Sequence, residues 1–179
     1  MKTDYTLTIR RMCYAALFMA MNIVLSSAVF RIPVPGGHFY LNDVVICLAA
    51  ILLDPLYAVV ACGLGAFLGD ALFYPAPMFV TLVTRSLQAL AISLICHFAL
   101  RKHPKAAAAV GVFVGAVIMV AGYSLGRAFV YSTPEYAWLK LPYQILQAAV
   151  GAVAGPVLCF GCGIRRLYLR AIPPENGKE

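Results

Sequence analysis

Four ionisable side chains interrupt otherwise apolar stretches of this 179-residue chain: Asp43, Asp70, Arg85 and Arg127. A charge inside an apolar helix bundle is costly, so such residues tend to pair with one another or to line a polar cavity. Two acids and two bases together carry no net charge. The residue types therefore indicate hydrogen bonding to a small polar solute, a proton site, or internal ion pairs.

Amide and aromatic side chains accompany these charges at comparable positions. Gln144 and Gln147 are three residues apart, which places both amides on one face of a helix. We therefore predict one outward-facing polar pocket for a small solute. Its candidate residues are Asn42, Asp43, Asp70, Arg85, Arg127, Gln144, Gln147, Tyr123, Trp138 and His38.

Two simpler interpretations of the same residues stay open. Asp70 with Arg85, and Asp43 with Arg127, could be structural ion pairs that lock helices together. Asn42 and Asp43 could also cap the helix that follows them, which is a common role for such residues at a helix start.

The sequence contains no phosphate-binding loop and no H-E-x-x-H motif. Cys159-x-x-Cys162 has the spacing of a redox or metal pair, but no second pair or nearby histidine completes a zinc set. We expect no catalytic residue, no metal and no cofactor.

The composition requires lipid as the solvent, because 63% of the residues are hydrophobic and only 12% are charged. Since one span takes about 20 apolar residues, the length suits six spans and leaves no soluble domain. We predict an all-α integral membrane protein, one domain over residues 1–179, with six transmembrane helices. The apolar segments are roughly 12–30, 41–54, 56–74, 78–99, 107–130 and 141–164.

Basic residues predict the orientation. Threading six spans back and forth puts only Arg31 and Lys140 on one side, outside the helices. By the positive-inside rule the richer side is cytoplasmic, so both termini are predicted there. The net charge of +7 is then explained by basic residues that anchor the protein at anionic lipid headgroups, and it does not indicate nucleic-acid binding. The basic residues on the richer side are Lys2, Arg10, Arg11, Arg101, Lys102, Lys105, Arg165, Arg166, Arg170 and Lys178.

Small residues recur at four-residue spacing, which lets helices approach closely in lipid. One such stripe is Ala16-x-x-x-Ala20, and three more are formed by glycine pairs. Most should mediate packing within the chain, and an exposed stripe could dock a partner. The glycine pairs are Gly111 with Gly115, Gly122 with Gly126, and Gly151 with Gly155.

Several of these segments together resemble the substrate-binding S component of energy-coupling factor (ECF) vitamin transporters. Residues 37–43 and 63–70 resemble the motifs Gly-x-x-x-Leu-Gly-Asp and Gly-Ser-Ala-Leu-Ala-Asp of one branch, with Asn42 in place of glycine and Gly69 in place of alanine. Tyr74-Pro75-Ala76-Pro77 and Thr81-x-x-Thr84-Arg85 resemble its Tyr-Ala-Pro and Thr-x-x-x-Lys. Residues 142–147 resemble its Pro-x-Asn-x-x-Gln. That branch includes pyridoxine, hydroxymethylpyrimidine and riboflavin-type S components.

The resemblance implies a high-affinity substrate-binding subunit in the plasma membrane of a prokaryote. It would capture a vitamin or precursor, such as pyridoxine, hydroxymethylpyrimidine, a riboflavin-like compound or pantothenate. The loop from Arg31 to Tyr40 would close over the site, and Ala16 and Ala20 would contact the transmembrane coupling subunit. Two cytoplasmic ATPases would supply the energy.

Two other classes of protein remain possible from the sequence. One is a self-sufficient carrier that uses Asp70 as a proton site. The other is a structural membrane protein whose charges are only ion pairs and which binds no solute.

Overall fold

The computed structural model describes residues 2–27, 32–34, 37–99 and 103–172. Arg31, Arg101, Lys102 and Lys178, which enter the predictions on loop closure and orientation, lie outside these ranges. The described helices are α1 (Lys2–Leu25), α2 (Asn42–Leu52), α3 (Pro55–Phe73), α4 (Met78–Ala99), α5 (Pro104–Tyr131), α6 (Pro134–Gly161) and α7 (Ile164–Ala171).

Five of these helices, α1 and α3 to α6, are long and apolar enough to cross a membrane. Prolines that break the apolar pattern of the sequence begin three of them, because proline lacks the N–H that a first helical turn leaves unused. They are Pro55, Pro104 and Pro134. Large apolar side chains such as Phe79, Phe113 and Val153 face outward from the bundle. The outer surface is therefore suited to lipid.

The helix α2 is short and central. Its 11 residues extend about 17 Å, against about 30 Å for the hydrocarbon core of a bilayer. Ten of these residues are buried, since α1, α4 and α6 pack around it. The segment 41–54 is thus a helix, as predicted, but its length alone does not make it a sixth span. The number of spans stays a prediction.

Glycines set how closely the helices approach. A side chain at Gly111 or Gly115 would meet Ile92 of α4, and one at Gly151 would meet Asp43 of α2. The glycine pairs on α5 and α6 therefore mediate packing within the chain, as predicted. Ala16 and Ala20 differ from them, because both are exposed on α1.

A small element lies at each end of the bundle. Between α1 and α2, the antiparallel strands β1 (Ile32–Val34) and β2 (Gly37–Phe39) form a hairpin that the sequence analysis does not anticipate. At the other end, Gly163 adopts a φ of 72° and turns the chain into α7. There Tyr168 packs edge-on against Tyr14, and Arg10 donates a hydrogen bond to the carbonyl of Ala171.

Candidate functional site

A polar cavity lies at the end of the bundle that carries the hairpin. It contains about 540 Å³ of empty space, including the open space at its mouth, and the centre of a water molecule can occupy about 40 Å³ of that. The cavity is therefore narrow. It is lined by His38, Tyr40, Asn42, Asp70, Tyr74, Pro77, Thr81, Arg85, Met119, Tyr123, Arg127, Tyr131, Lys140, Gln144 and Gln147.

The lining residues follow from helix periodicity. Residues three or four apart share one face of a helix, and each helix contributes one such stripe. On α4 the stripe is Pro77, Thr81 and Arg85, with Pro77 at the residue that precedes the helix. On α5 it is Met119, Tyr123, Arg127 and Tyr131, and on α6 it is Lys140, Gln144 and Gln147.

A buried ion pair holds the floor of the cavity. The guanidinium of Arg85 donates to both carboxylate oxygens of Asp43, with Nη2 to Oδ2 at 3.1 Å, and to Oε1 of Gln88 at 2.8 Å. The amide of Gln147 also donates to Asp43. Arg85 and Asp43 are each only about 2% exposed or less, so the pair is shielded from water. It joins α2, α4 and α6 directly beneath the cavity.

A second chain of hydrogen bonds lies along one wall. The hydroxyl of Tyr123 donates to Thr81 Oγ1 at 2.9 Å, and that of Thr81 donates to Asp70 Oδ2 at 2.5 Å. The guanidinium carbon of Arg85 is 5.1 Å from the centre of the Tyr123 ring, a distance suited to a cation–π contact. The phenol ring of Tyr123 is thus fixed between two charged groups.

Several polar atoms of lining residues are buried without a hydrogen-bond partner in the described structure. They are Oδ1 of Asn42, Oε1 of Gln144, Nε of Arg85 and Nη1 of Arg127. A buried polar atom left without a partner costs about 1–3 kcal/mol. Two acceptors and two donors are therefore available to a polar solute.

The hairpin and Tyr40, the residue that follows it, are tied to α6 beside the cavity. The backbone N–H of Tyr40 donates to Gln147 Oε1 at 3.2 Å, and Lys140 Nζ donates to the carbonyl of His38 at 2.8 Å. The imidazole of His38 also packs edge-on against the ring of Tyr74, with 5.6 Å between ring centres. His38 of β2 and Tyr40 therefore lie against the polar end of α6.

The structure brings together eight of the ten predicted site residues. Asn42, Asp70, Arg85, Arg127, Gln144, Gln147, Tyr123 and His38 all line the cavity. Asp43 does not line it and instead holds Arg85 and Gln147, which do.

Three expectations are corrected. Trp138 is 74% exposed and lies on the outer face of α6, two residues from the inward-facing Lys140. The salt bridge of the cavity floor joins Asp43 to Arg85. The sequence had suggested Arg127 as the partner of Asp43. Asn42 and Asp43 do not cap α2, because its N-cap residue is Leu41 and no side chain makes a capping hydrogen bond.

Sequence reasoning missed seven of the lining residues: Tyr40, Tyr74, Pro77, Thr81, Met119, Tyr131 and Lys140. Lys140 precedes Gln144 by four positions and Gln147 by seven, and Tyr131 follows Arg127 by four. Extending the predicted polar faces by one helical turn would have found Lys140 and Tyr131. The described residues contain no group of three or more His, Cys, Asp or Glu side chains placed to hold a metal ion.

Comparison with known proteins identifies the family of this chain. Residues 6–162 match the family model described as "ECF-type riboflavin transporter, S component". The chain therefore belongs to the S components of ECF-type transporters, and it is a multi-pass membrane protein of vitamin uptake. It is also 30% identical over 135 residues to a Pyrococcus woesei protein described as an uncharacterized protein in a gap 3′ region, across 74% of this chain and 88% of that protein.

Proposed function

We propose that this chain is the high-affinity binding subunit of an ECF importer for a vitamin or vitamin precursor. It forms one membrane domain of six spans, with both termini in the cytoplasm of a prokaryote and the cavity open to the outside. A coupling subunit and two ATPases drive release to the inside. The observation that carries the proposal is the convergence of polar side chains from four long helices, α2 and the hairpin on one cavity.

The contacts suit a heteroaromatic or amide-containing solute. Unpaired acceptors on Asn42 and Gln144 favour N–H or O–H donors, and the ring of Tyr123 offers an aromatic face. Pyridoxine, hydroxymethylpyrimidine, riboflavin and pantothenate remain the candidates. Because the cavity is narrow, entry of such a solute requires the hairpin to move away from α6.

The first experiment is to purify the protein in detergent from cells grown in rich medium and to identify any bound compound by mass spectrometry. We expect one stoichiometric vitamin-like compound. An empty protein, whose thermal unfolding is also unchanged by the four candidate compounds, would contradict the proposal.

A matched pair of variants then tests the cavity. Gln144→Leu removes an amide whose Oε1 is buried and unpaired, so binding should weaken about tenfold, the equivalent of one hydrogen bond. Trp138→Leu changes an exposed side chain of the same helix and should leave the Kd unchanged. Equal affinities in both variants would place the binding site elsewhere.

A further inference from the structure

The cavity carries more positive charge than the sequence predicts. Lys140, assigned to the outer surface by the sequence pattern, is only 7% exposed and lines the cavity beside Arg127. The described residues in and directly beneath the cavity include three cations, Arg85, Arg127 and Lys140, and two carboxylates, those of Asp43 and Asp70. With His38 counted as neutral, the net charge of this set is +1.

The cations differ in how they are used. The charge of Arg85 is taken up by Asp43 at the floor. Arg127 and Lys140 donate their hydrogen bonds to uncharged oxygens. Arg127 Nη2 donates to the Tyr131 hydroxyl at 3.1 Å, and Lys140 donates to the carbonyl of His38. Such oxygens satisfy a donor without neutralising its charge.

Both cations retain capacity for another acceptor. Arg127 is 6% exposed, and its Nη1 is buried without a hydrogen-bond partner. The Lys140 ammonium has three donors, of which the bond to His38 uses one. Like charges lining one narrow cavity repel, and an anion between them removes that repulsion while satisfying Arg127.

Position along the helices separates these cations from the amides. Lys140 is seven residues nearer the start of α6 than Gln147, a distance of about 10 Å along the axis. Arg127 is likewise one turn nearer the end of α5 than Tyr123. The cations therefore lie towards the mouth, and the amides and the Tyr123 ring lie deeper.

We propose that the transported solute carries one anionic group, a carboxylate or a phosphate, that Arg127 and Lys140 bind at the mouth of the cavity. The uncharged body of the solute lies deeper, against Tyr123 and Gln144. This inference rests on the proposed function and narrows its substrate class. Riboflavin and pyridoxine carry no carboxylate or phosphate, whereas pantothenate carries a carboxylate.

The test uses pairs of compounds that share a body and differ in charge. Pantothenate and its alcohol pantothenol examine a carboxylate, and riboflavin 5′-phosphate and riboflavin examine a phosphate. We expect the anionic member of one pair to bind purified protein at least about tenfold more tightly than its neutral twin. The pair that shows this difference tells whether the site takes a carboxylate or a phosphate. The charge of any compound that co-purifies is a second readout.

The outcomes separate the two proposals. Equal or tighter binding of the neutral twin, or a neutral co-purified compound, would overturn the anion site and leave the binding-subunit function intact. If none of the four compounds binds, an anionic co-purified compound supports the site. If nothing binds and nothing co-purifies, both proposals fail.

Variants of Arg127 and Lys140 test whether these two cations cause the tighter binding of the anionic compound. Lys140→Met and Arg127→Met should bring the ratio of the two Kd values close to one, while Lys140→Arg should keep it well above one. Lys105→Met, an exposed lysine at the start of α5, is the control and should leave the ratio unchanged. If Lys140 only ties the hairpin to α6, its loss will weaken both twins equally and leave the ratio as in the wild type.

Discussion

At the scale of single residues, the Asp43–Arg85 pair dominates the site. A buried ion pair is weak evidence for stability in itself, because desolvation offsets the attraction of the charges, but removal of one partner leaves the other charge buried and uncompensated. Gln88 and Gln147 add hydrogen bonds to this pair. A change at Arg85 therefore affects folding and binding together.

We predict that Arg85→Met lowers the free energy of unfolding by about 3–5 kcal/mol, because the Asp43 carboxylate then lacks a counter-charge. Thermal unfolding in detergent measures the change. Adding Asp43→Asn to that variant should recover part of the loss, and Arg166→Met on the exposed face of α7 should cost little. A single variant as stable as the wild type would contradict a charged, buried pair.

At the scale of elements, the site depends on how closely α6 approaches α2. A Cβ at Gly151 would lie 2.8 Å from the Cβ of Asp43 and 3.1 Å from its backbone carbon. Real Cβ atoms essentially never show the first distance, and the second is tighter than most of their contacts, so glycine is required for the approach. The same approach carries Gln147 to Asp43 and to the hairpin.

We expect Gly151→Ala to destabilise the protein by about 1–3 kcal/mol, because an overpacked contact forces α6 away from α2. Substrate affinity should fall with it, since Gln144 and Gln147 move with α6. Gly161→Ala, where the nearest atom is a Val157 methyl at 3.8 Å, is the matched control. Calorimetric Kd values and melting temperatures for both variants check the prediction, and equal effects would refute it.

At the scale of the whole molecule, the apolar residues divide between a core around α2 and a lipid-facing surface. The glycine stripes on α5 and α6 pack against other helices of the same chain. Ala16 and Ala20 are left exposed on α1, which has the smallest buried share in its apolar stretch among the five long helices described. This face is therefore available to a partner, as the family resemblance implies.

We predict that Ala16→Leu with Ala20→Leu abolishes uptake in cells that also express an ECF coupling module, because the larger side chains prevent close approach of a partner helix. Substrate binding to the isolated subunit should be unchanged, since neither residue lines the cavity. Ala121→Leu, an exposed alanine of α5, should leave both properties unchanged. Normal uptake by the double variant would exclude this face as the coupling surface.

The sequence by itself determined the class of protein and the approximate extent of its long helices. Apolar runs of fixed length and the prolines between them are local signals, so the predicted segment 78–99 coincides with α4, and 56–74 differs from α3 by one residue at each end. Most of the predicted charges and amides also line the cavity, because their cost in lipid favours places where polar groups meet. That this cavity binds a solute stays a prediction.

Only the tertiary structure decided which of these residues meet. The helix turns Lys140 inward and Trp138 outward, although only one residue separates them in the sequence. The choice of Arg85 as partner for Asp43 depends on the packing of α2 against α4, which segment boundaries do not contain. The hairpin strands are three residues long, too short for an alternating pattern, and their pairing is stabilised by contacts to residues more than 100 positions away in α6.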